Sequence, residues 1–145
     1  MSDQGSPTWT AAEESAMRRA LELAASPGVP TGPNPRVGCV LLDDDGRTVA
    51  EGHHRGAGTA HAEADALALA GDRARGTTAV VTLEPCNHTG RTGPCVERIV
   101  GAGVRDVVVG VEDPDPRVNG VGIRYLHDQG ITVTVGVRRQ AATRL

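Results

Sequence analysis

A chain of 145 residues carrying a net charge of −3 is long enough for one domain with a single core and leaves little room for a second. Apolar residues make up 39% and charged ones 23%, as in an ordinary soluble globular protein, and the scattered arginines that supply all the basic charge leave no footprint for a nucleic-acid backbone. The N-terminal MSDQGSPTWT lacks the charged-then-apolar order of a signal peptide, and no run approaches the roughly 18 apolar residues of a membrane span, which points to a cytoplasmic protein without a membrane partner. With no Phe, one Trp and one Tyr, the core has to be built from Val, Leu, Ile and Ala.

Residues 1–9 read as a flexible tail. From Thr10, TAAEESAMRRALELAA has helical spacing of Ala, Met and Leu, with Thr10 and Glu13 in capping-box register. SPGVPTGPNP stops it. RVGCVLL is a short apolar strand, DDDG a turn and RTVAEGHH a second strand, together a hairpin. GAGTAHAEADALALAG opens as a Gly-rich loop and continues as a helix, with Thr59 as the expected N-cap. TTAVVTLE is a third strand ending just before Pro85 and Cys86. Pro94 suits the first position of a helix, PCVERIVGAG, because its missing N–H costs nothing there. VRDVVVGVE is a fourth strand, DPDPRVNGVG a loop, IRYLHDQG a short helix and ITVTVGV a fifth strand.

Strands alternate with helices from the third onward and should pair in parallel, while the opening hairpin is antiparallel. The expectation is an α/β fold, a three-layer α/β/α sandwich around a five-stranded mixed sheet, forming one domain over 1–145.

The chain has three cysteines, and two of them, Cys86 and Cys95, flank eight residues that include His88 and Arg91. A disulfide, a metal site and coincidence are the candidates. Reducing conditions in the cytosol weaken the first and favour the second. His61 and Glu63, two apart, diverge by about 200° on a helix flank, but near a helix N-terminus both can address one point beyond its end. If Cys86 closes the third strand and Cys95 opens the next helix, their sulfurs can meet His61 at that point.

Imidazole and thiolate are donors that zinc prefers, and three protein ligands leave a fourth position for water, as in catalytic rather than structural sites. Two thiolates neutralise the metal's charge and leave a bound water less acidic, so a carboxylate must assist. Glu63 is placed to take the water's proton and hand it to the substrate. Separately, a His-x-Glu can be a solvated helix pair and two cysteines small core residues. Together, HAE followed by EPC and a second Cys match the zinc-deaminase signature. Cys39, mid-strand with no partner motif, reads as a buried core thiol, and His127 as a surface residue.

The segments TGPNPRVGCVLL, GHHRGAGTAHAEADAL, TLEPCNHTGRTGPC and EDPDPRVNGVG resemble the deaminase domain of the riboflavin-biosynthesis RibD proteins, within the cytidine-deaminase-like superfamily, from the first helix to the last strand. Superfamily members in general have two residues between the cysteines, and the eight found here point to this branch. The resemblance implies a hydrolase that removes the 2-amino group of 2,5-diamino-6-ribosylamino-4(3H)-pyrimidinone 5′-phosphate and releases ammonia. It implies Zn2+ on His61, Cys86 and Cys95, proton transfer by Glu63, a hydrogen bond from Asn34 to the pyrimidine, and His54, His88 and Arg91 around the ribose phosphate. Adjacent His53 and His54 point to opposite faces, and the resemblance selects His54. Asp115 stands where the family commonly has Asn, leaving at most a ribose contact. The resemblance further implies a homo-oligomer, at least a dimer, and no nucleic-acid partner. Family members often carry a reductase domain after the deaminase, which this sequence is not expected to contain. The same motifs would serve a related deaminase of cytidine, CMP or guanine, or one recruited to specialised metabolism.

Overall fold

Three buried strands, each covered on both faces, form the middle of the molecule and decide where everything else can sit. The computed structural model describes residues 9–25, 37–53, 61–85, 95–114 and 119–144. In chain order these form α1 (Ala11–Ala24), β1 (Gly38–Leu42), β2 (Thr48–His53), α2 (Ala62–Ala70), a 3₁₀ turn (Gly71–Ala74), β3 (Thr78–Leu83), α3 (Cys95–Gly101), β4 (Asp106–Val111), α4 (Val121–Asp128), β5 (Thr132–Val135) and α5 (Arg139–Thr143). The described residues give a five-stranded sheet in the order β2-β1-β3-β4-β5. β1 pairs antiparallel with both β2 and β3, and β3, β4 and β5 run parallel. The expected mixed sheet and antiparallel hairpin are both present.

α1 forms where the capping box predicts: the Thr10 hydroxyl accepts from the Glu13 N–H at 3.1 Å and the Glu13 carboxylate accepts from the Thr10 N–H at 2.9 Å. Such a cap contributes about 0.5–2 kcal/mol. Trp9, counted with the tail in the sequence, packs beside α1, and its indole N–H donates to Glu14 at 3.1 Å. Residues 1–8 lie outside the described residues.

Alternation along the strands sorts the side chains into two layers. Val40, Leu42, Val80 and Val108 face Met17 and Ala20 of α1. Cys39, Leu41, Ala79, Val81, Val107 and Val109 face the other way, onto α2, α3 and α4 through Ala62, Ala66, Val96, Ile99 and Leu126. α5, which the sequence reading did not anticipate, packs on β4 on the α1 side, where Ala142 lies against Gly110. The three-layer sandwich is as expected.

A core without aromatic bulk lets helix backbones come very close to the sheet. A Cβ on Gly38 would stand 1.9 Å from the carbonyl oxygen of Ala20, and one on Gly52 2.5 Å from that of Ala62. At these two glycines α1 and α2 come into direct backbone contact with the sheet.

Strand direction then fixes the site. β2 runs parallel to β3, being antiparallel to the strand between them, so β2, β3 and β4 all end at one sheet edge. The helices that follow each of them, α2, α3 and α4, therefore start at that edge. In open α/β sheets this crevice beyond the strand ends is where ligands bind. No helix among the described residues is long and apolar enough to cross a membrane.

The glycine contacts make a test of the packing. Gly38→Ala should destabilise by roughly 1–3 kcal/mol, as for an overpacked core position. Gly101→Ala, where a Cβ would meet nothing within 4 Å, should be neutral or stabilise by about 0.4–1 kcal/mol. Urea unfolding of the two variants measures both signs.

Candidate active site

His61 occupies the N-cap of α2, with extended backbone angles of −68° and 160° and no side-chain capping bond. This corrects the expectation that Thr59 caps the helix; Thr59 itself lies outside the described residues. The physical reason is that the ring turns away from the helix: His61 Nδ1 stands 3.2 Å from Cys95 Sγ. A residue that would be a mediocre cap holds the cap position and spends its side chain on a thiol.

Cys95 opens α3, one residue later than the Pro94 start read from the sequence, and is 1% exposed. Pro94 lies outside the described residues. At the first position of a helix a sulfur lies beside unpaired backbone N–H groups, a setting that favours the thiolate. Glu63, the second residue of α2, is 5% exposed in the same layer. His61, Glu63 and Cys95 are thus carried by two neighbouring helix starts at the strand-end edge, as the sequence reading required.

Cys39 is the contrasting thiol. It is fully buried between β2 and β3, opposite Gly52 and Val81. Burial, with the Glu63 and Asp65 carboxylates adding to it, pushes its thiol well above the ordinary range. A thiol held neutral in this way is a core residue rather than a ligand, as its sequence context indicated. His127 is exposed, again as expected.

Two anchors that the motifs did not reveal hold this edge together. Asp65, one turn into α2, accepts the backbone N–H of His53 at 3.3 Å, fastening the end of β2 beside the helix that carries Glu63. Glu84, which follows β3, is 4% exposed and receives four backbone N–H groups from the chain beyond β4. An acidic residue directly after a buried strand was a signal that it needed donors. Which donors it finds is a tertiary fact. Asn34, His54, Cys86, His88 and Arg91 lie outside the described residues, as does Asp115.

The donor pair fits zinc. One tetrahedral ion bound at the usual zinc–nitrogen and zinc–sulfur lengths holds its two donor atoms about 3.5 Å apart, and the imidazole and thiol here lie 3.2 Å apart.

Comparison with known proteins gives the same chemistry. Residues 10–111 match the family described as the cytidine and deoxycytidylate deaminase zinc-binding region. The chain belongs to this deaminase family. The family is described as a zinc-binding region of deaminases, the chemistry to which the His61 and Cys95 donors are suited. Among its relatives, the riboflavin biosynthesis protein RibD of Escherichia coli is 48% identical over 92% of this chain and 36% of its own length. The diaminohydroxyphosphoribosylamino-pyrimidine deaminase of Buchnera aphidicola is 45% identical over 83% of this chain and 82% of its own. The structure of Acinetobacter baumannii RibD superposes with a TM-score of 0.87 at 46% identity, over 92% of this chain and 37% of that one. The chain thus spans little more than a third of the RibD proteins and most of the Buchnera deaminase.

The metal site is tested by composition. The purified protein should contain about one zinc per chain, the stoichiometry of a three-ligand catalytic site. Cys95→Ser and Cys86→Ser should lose it, and Cys39→Ala should keep it. Full zinc retention in Cys95→Ser would remove the site as drawn.

Proposed function

We propose that this deaminase hydrolyses the 2-amino group of 2,5-diamino-6-ribosylamino-4(3H)-pyrimidinone 5′-phosphate and releases ammonia, a step of riboflavin formation. The observation that carries the reading is the approach of His61 Nδ1 to Cys95 Sγ at 3.2 Å with Glu63 buried one turn or less away in sequence. The spacing of Cys86 and Cys95 and the likeness to a deaminase named for this substrate support the choice of pyrimidine.

His61, Cys86 and Cys95 would hold zinc, which when bound would supply the Lewis acidity that makes water a competent nucleophile near neutral pH. Glu63 moves the protons. The water oxygen bonds to C2 of the ring, one of its protons passes through Glu63 to the adjacent ring nitrogen, and the other passes to the departing amino nitrogen. The C2–N bond breaks, ammonia leaves, and C2 keeps the oxygen as a carbonyl. Atoms and charge balance with the carboxylate regenerated. Burial of Glu63 suits this role, because a proton held away from bulk water is delivered to the substrate rather than lost.

Asn34 matches the donor and acceptor edge of the pyrimidine with its amide. His54, His88 and Arg91 are assigned to the ribose phosphate, with the guanidinium able to grip two phosphate oxygens. The Asp65 bond to the His53 N–H supports the assignment of His54, since it fixes the backbone one residue before it. Family likeness also supports assembly into at least a dimer and a cytoplasmic setting.

Ammonia release from this pyrimidine, CMP, cytidine and guanine tests the reading, and the phosphorylated pyrimidine should be turned over fastest. Glu63→Gln should keep zinc and fold while losing about 10²–10⁴ of the turnover, the range of general acid–base catalysis. Near-normal turnover in that variant would mean another group moves the proton.

Arg91→Ala separates a phosphorylated substrate from a free base. A lost charge-assisted bond of about 1.5–3 kcal/mol corresponds to roughly ten-fold or more in kcat/KM. That loss should fall on the phosphorylated pyrimidine and spare its dephosphorylated analogue. Equal losses on the two would make Arg91 a brace of its loop.

A further inference from the structure

Position 52 faces the start of α2 with no side chain at all. A Cβ there would stand 2.5 Å from the Ala62 carbonyl oxygen, 2.6 Å from the Ala66 N and 3.0 Å from the Asp65 Cβ. Ala62 and Ala66 are the first and fifth residues of α2, both fully buried, so the strand touches the opening turn of the helix. That turn carries Glu63 and begins directly after His61. The floor beside Gly52 is small as well, because its partner in β1 is Cys39, which lies in the same layer as Ala62 and Ala66.

β2 is held on either side of this glycine. Glu51, pointing to the opposite face, accepts from Arg19 of α1 through Nε at 2.8 Å and Nη2 at 3.0 Å. The His53 N–H donates to Asp65 at 3.3 Å, tying the strand end to the same helix turn. Pairing with Cys39 fixes Gly52 itself. With the strand tied to α1 and to β1, volume added at position 52 has to be taken up by α2. Cβ atoms essentially never come within 3.0 Å of such a neighbour, so an alanine there moves the Ala62 carbonyl, 2.5 Å away, by about half an ångström. Zinc–ligand lengths hold to within about 0.2 Å. His61 is bonded directly to Ala62 and moves with it, whereas Cys95 starts a different helix. The 3.2 Å approach of His61 Nδ1 to Cys95 Sγ is therefore set by how low α2 sits on β2.

We infer that Gly52 is a positioning residue for the zinc donors: having no side chain, it lets α2 settle low enough on β2 for His61 to share a metal ion with Cys95, and Asp65 closes the joint. The inference rests on the zinc-deaminase reading above and on no particular substrate.

The test is zinc affinity, measured by competition with a chromophoric chelator, together with the absorption spectrum of the Co2+-substituted protein and amide exchange at His53. Gly52→Ala should bind zinc about 10–100-fold more weakly, the range for residues that orient metal ligands. It should also shift the Co2+ bands and accelerate exchange at His53. Gly38→Ala is the control: it adds the same methyl group at the same sheet edge, but against Ala20 on the α1 face. A second control, Val108→Ala, loosens the core on that face. Both should lower stability with zinc affinity and the Co2+ spectrum unchanged. Asp65→Ala opens the joint without adding volume. At about 1 M salt, which screens the lost charge, it should weaken zinc binding and accelerate exchange at His53, and it decides the inference if Gly52→Ala does not fold.

Unchanged zinc affinity in Gly52→Ala, or in Asp65→Ala where Gly52→Ala does not fold, would overturn the inference and leave the metal site standing. So would an equal loss of affinity in the controls. A wild type without zinc would overturn the metal reading and the inference together.

Discussion

At Gly52 the backbone of β2 lies so close to α2 that a Cβ would stand 2.5 Å from the Ala62 carbonyl oxygen and 2.6 Å from the Ala66 N, and the placement of the site depends on that contact. Ala62 is the residue between His61 and Glu63. Wherever the sheet seats Ala62, the imidazole and the carboxylate go with it. The small residues of α2, AEADALALA, make the approach possible, and Asp65 secures it by taking the His53 N–H. A larger residue at position 52 would lift the helix start away from Cys95. The Val- and Ala-rich core that stood out in the composition is thus linked to function: it permits helix starts to sit against strand ends within hydrogen-bond distances.

The two described thiols show how strongly position governs the same side chain. Cys39 and Cys95 are equally hidden from solvent. Cys39 lies within the sheet, where its burial, with the Glu63 and Asp65 carboxylates adding to it, pushes the thiol up. Cys95 lies at the start of a helix against an imidazole nitrogen. The sheet interior offers no donor that could stabilise a thiolate, while a helix start offers several. For the two described thiols, which are buried alike, the difference lies in the element position and the neighbours each one has.

Local signals were enough to read much of this from the sequence. The capping box at Thr10 and Glu13, the hairpin and the parallel order of later strands are written in short-range patterns, and each is present. The joint placement of His61, Glu63 and Cys95 was legible too, because helix starts after successive parallel strands must share an edge. The N-cap of α2 was not, since capping preference favours Thr59 over a histidine whose ring is engaged elsewhere. α5 was missed because RQAAT has too few residues to show periodicity and forms against Gly110 and β4. Glu84 was quoted only as part of the EPC signature. Its partners lie 29 to 39 positions along the chain, and backbone N–H groups leave no trace in a sequence.

Glu63, in the first turn of α2, and Glu84, which follows β3 and caps the start of α4, put the same functional group on one sheet edge in different surroundings. An ionised carboxylate offers about four lone-pair sites. In Glu84 four backbone N–H groups match them, from Asp113, Gly120, Gly122 and Ile123, so the group is committed to holding chain in place. Among the described residues, then, both oxygens of Glu84 are engaged by backbone N–H groups. Glu63 sits instead in the first turn of its own helix, next to the residue whose imidazole meets Cys95. From there its side chain lies in the same buried layer as the imidazole and the thiol. The edge needs both kinds of carboxylate. Proton transfer demands a group whose bonds can change during turnover, and positioning demands one whose bonds do not.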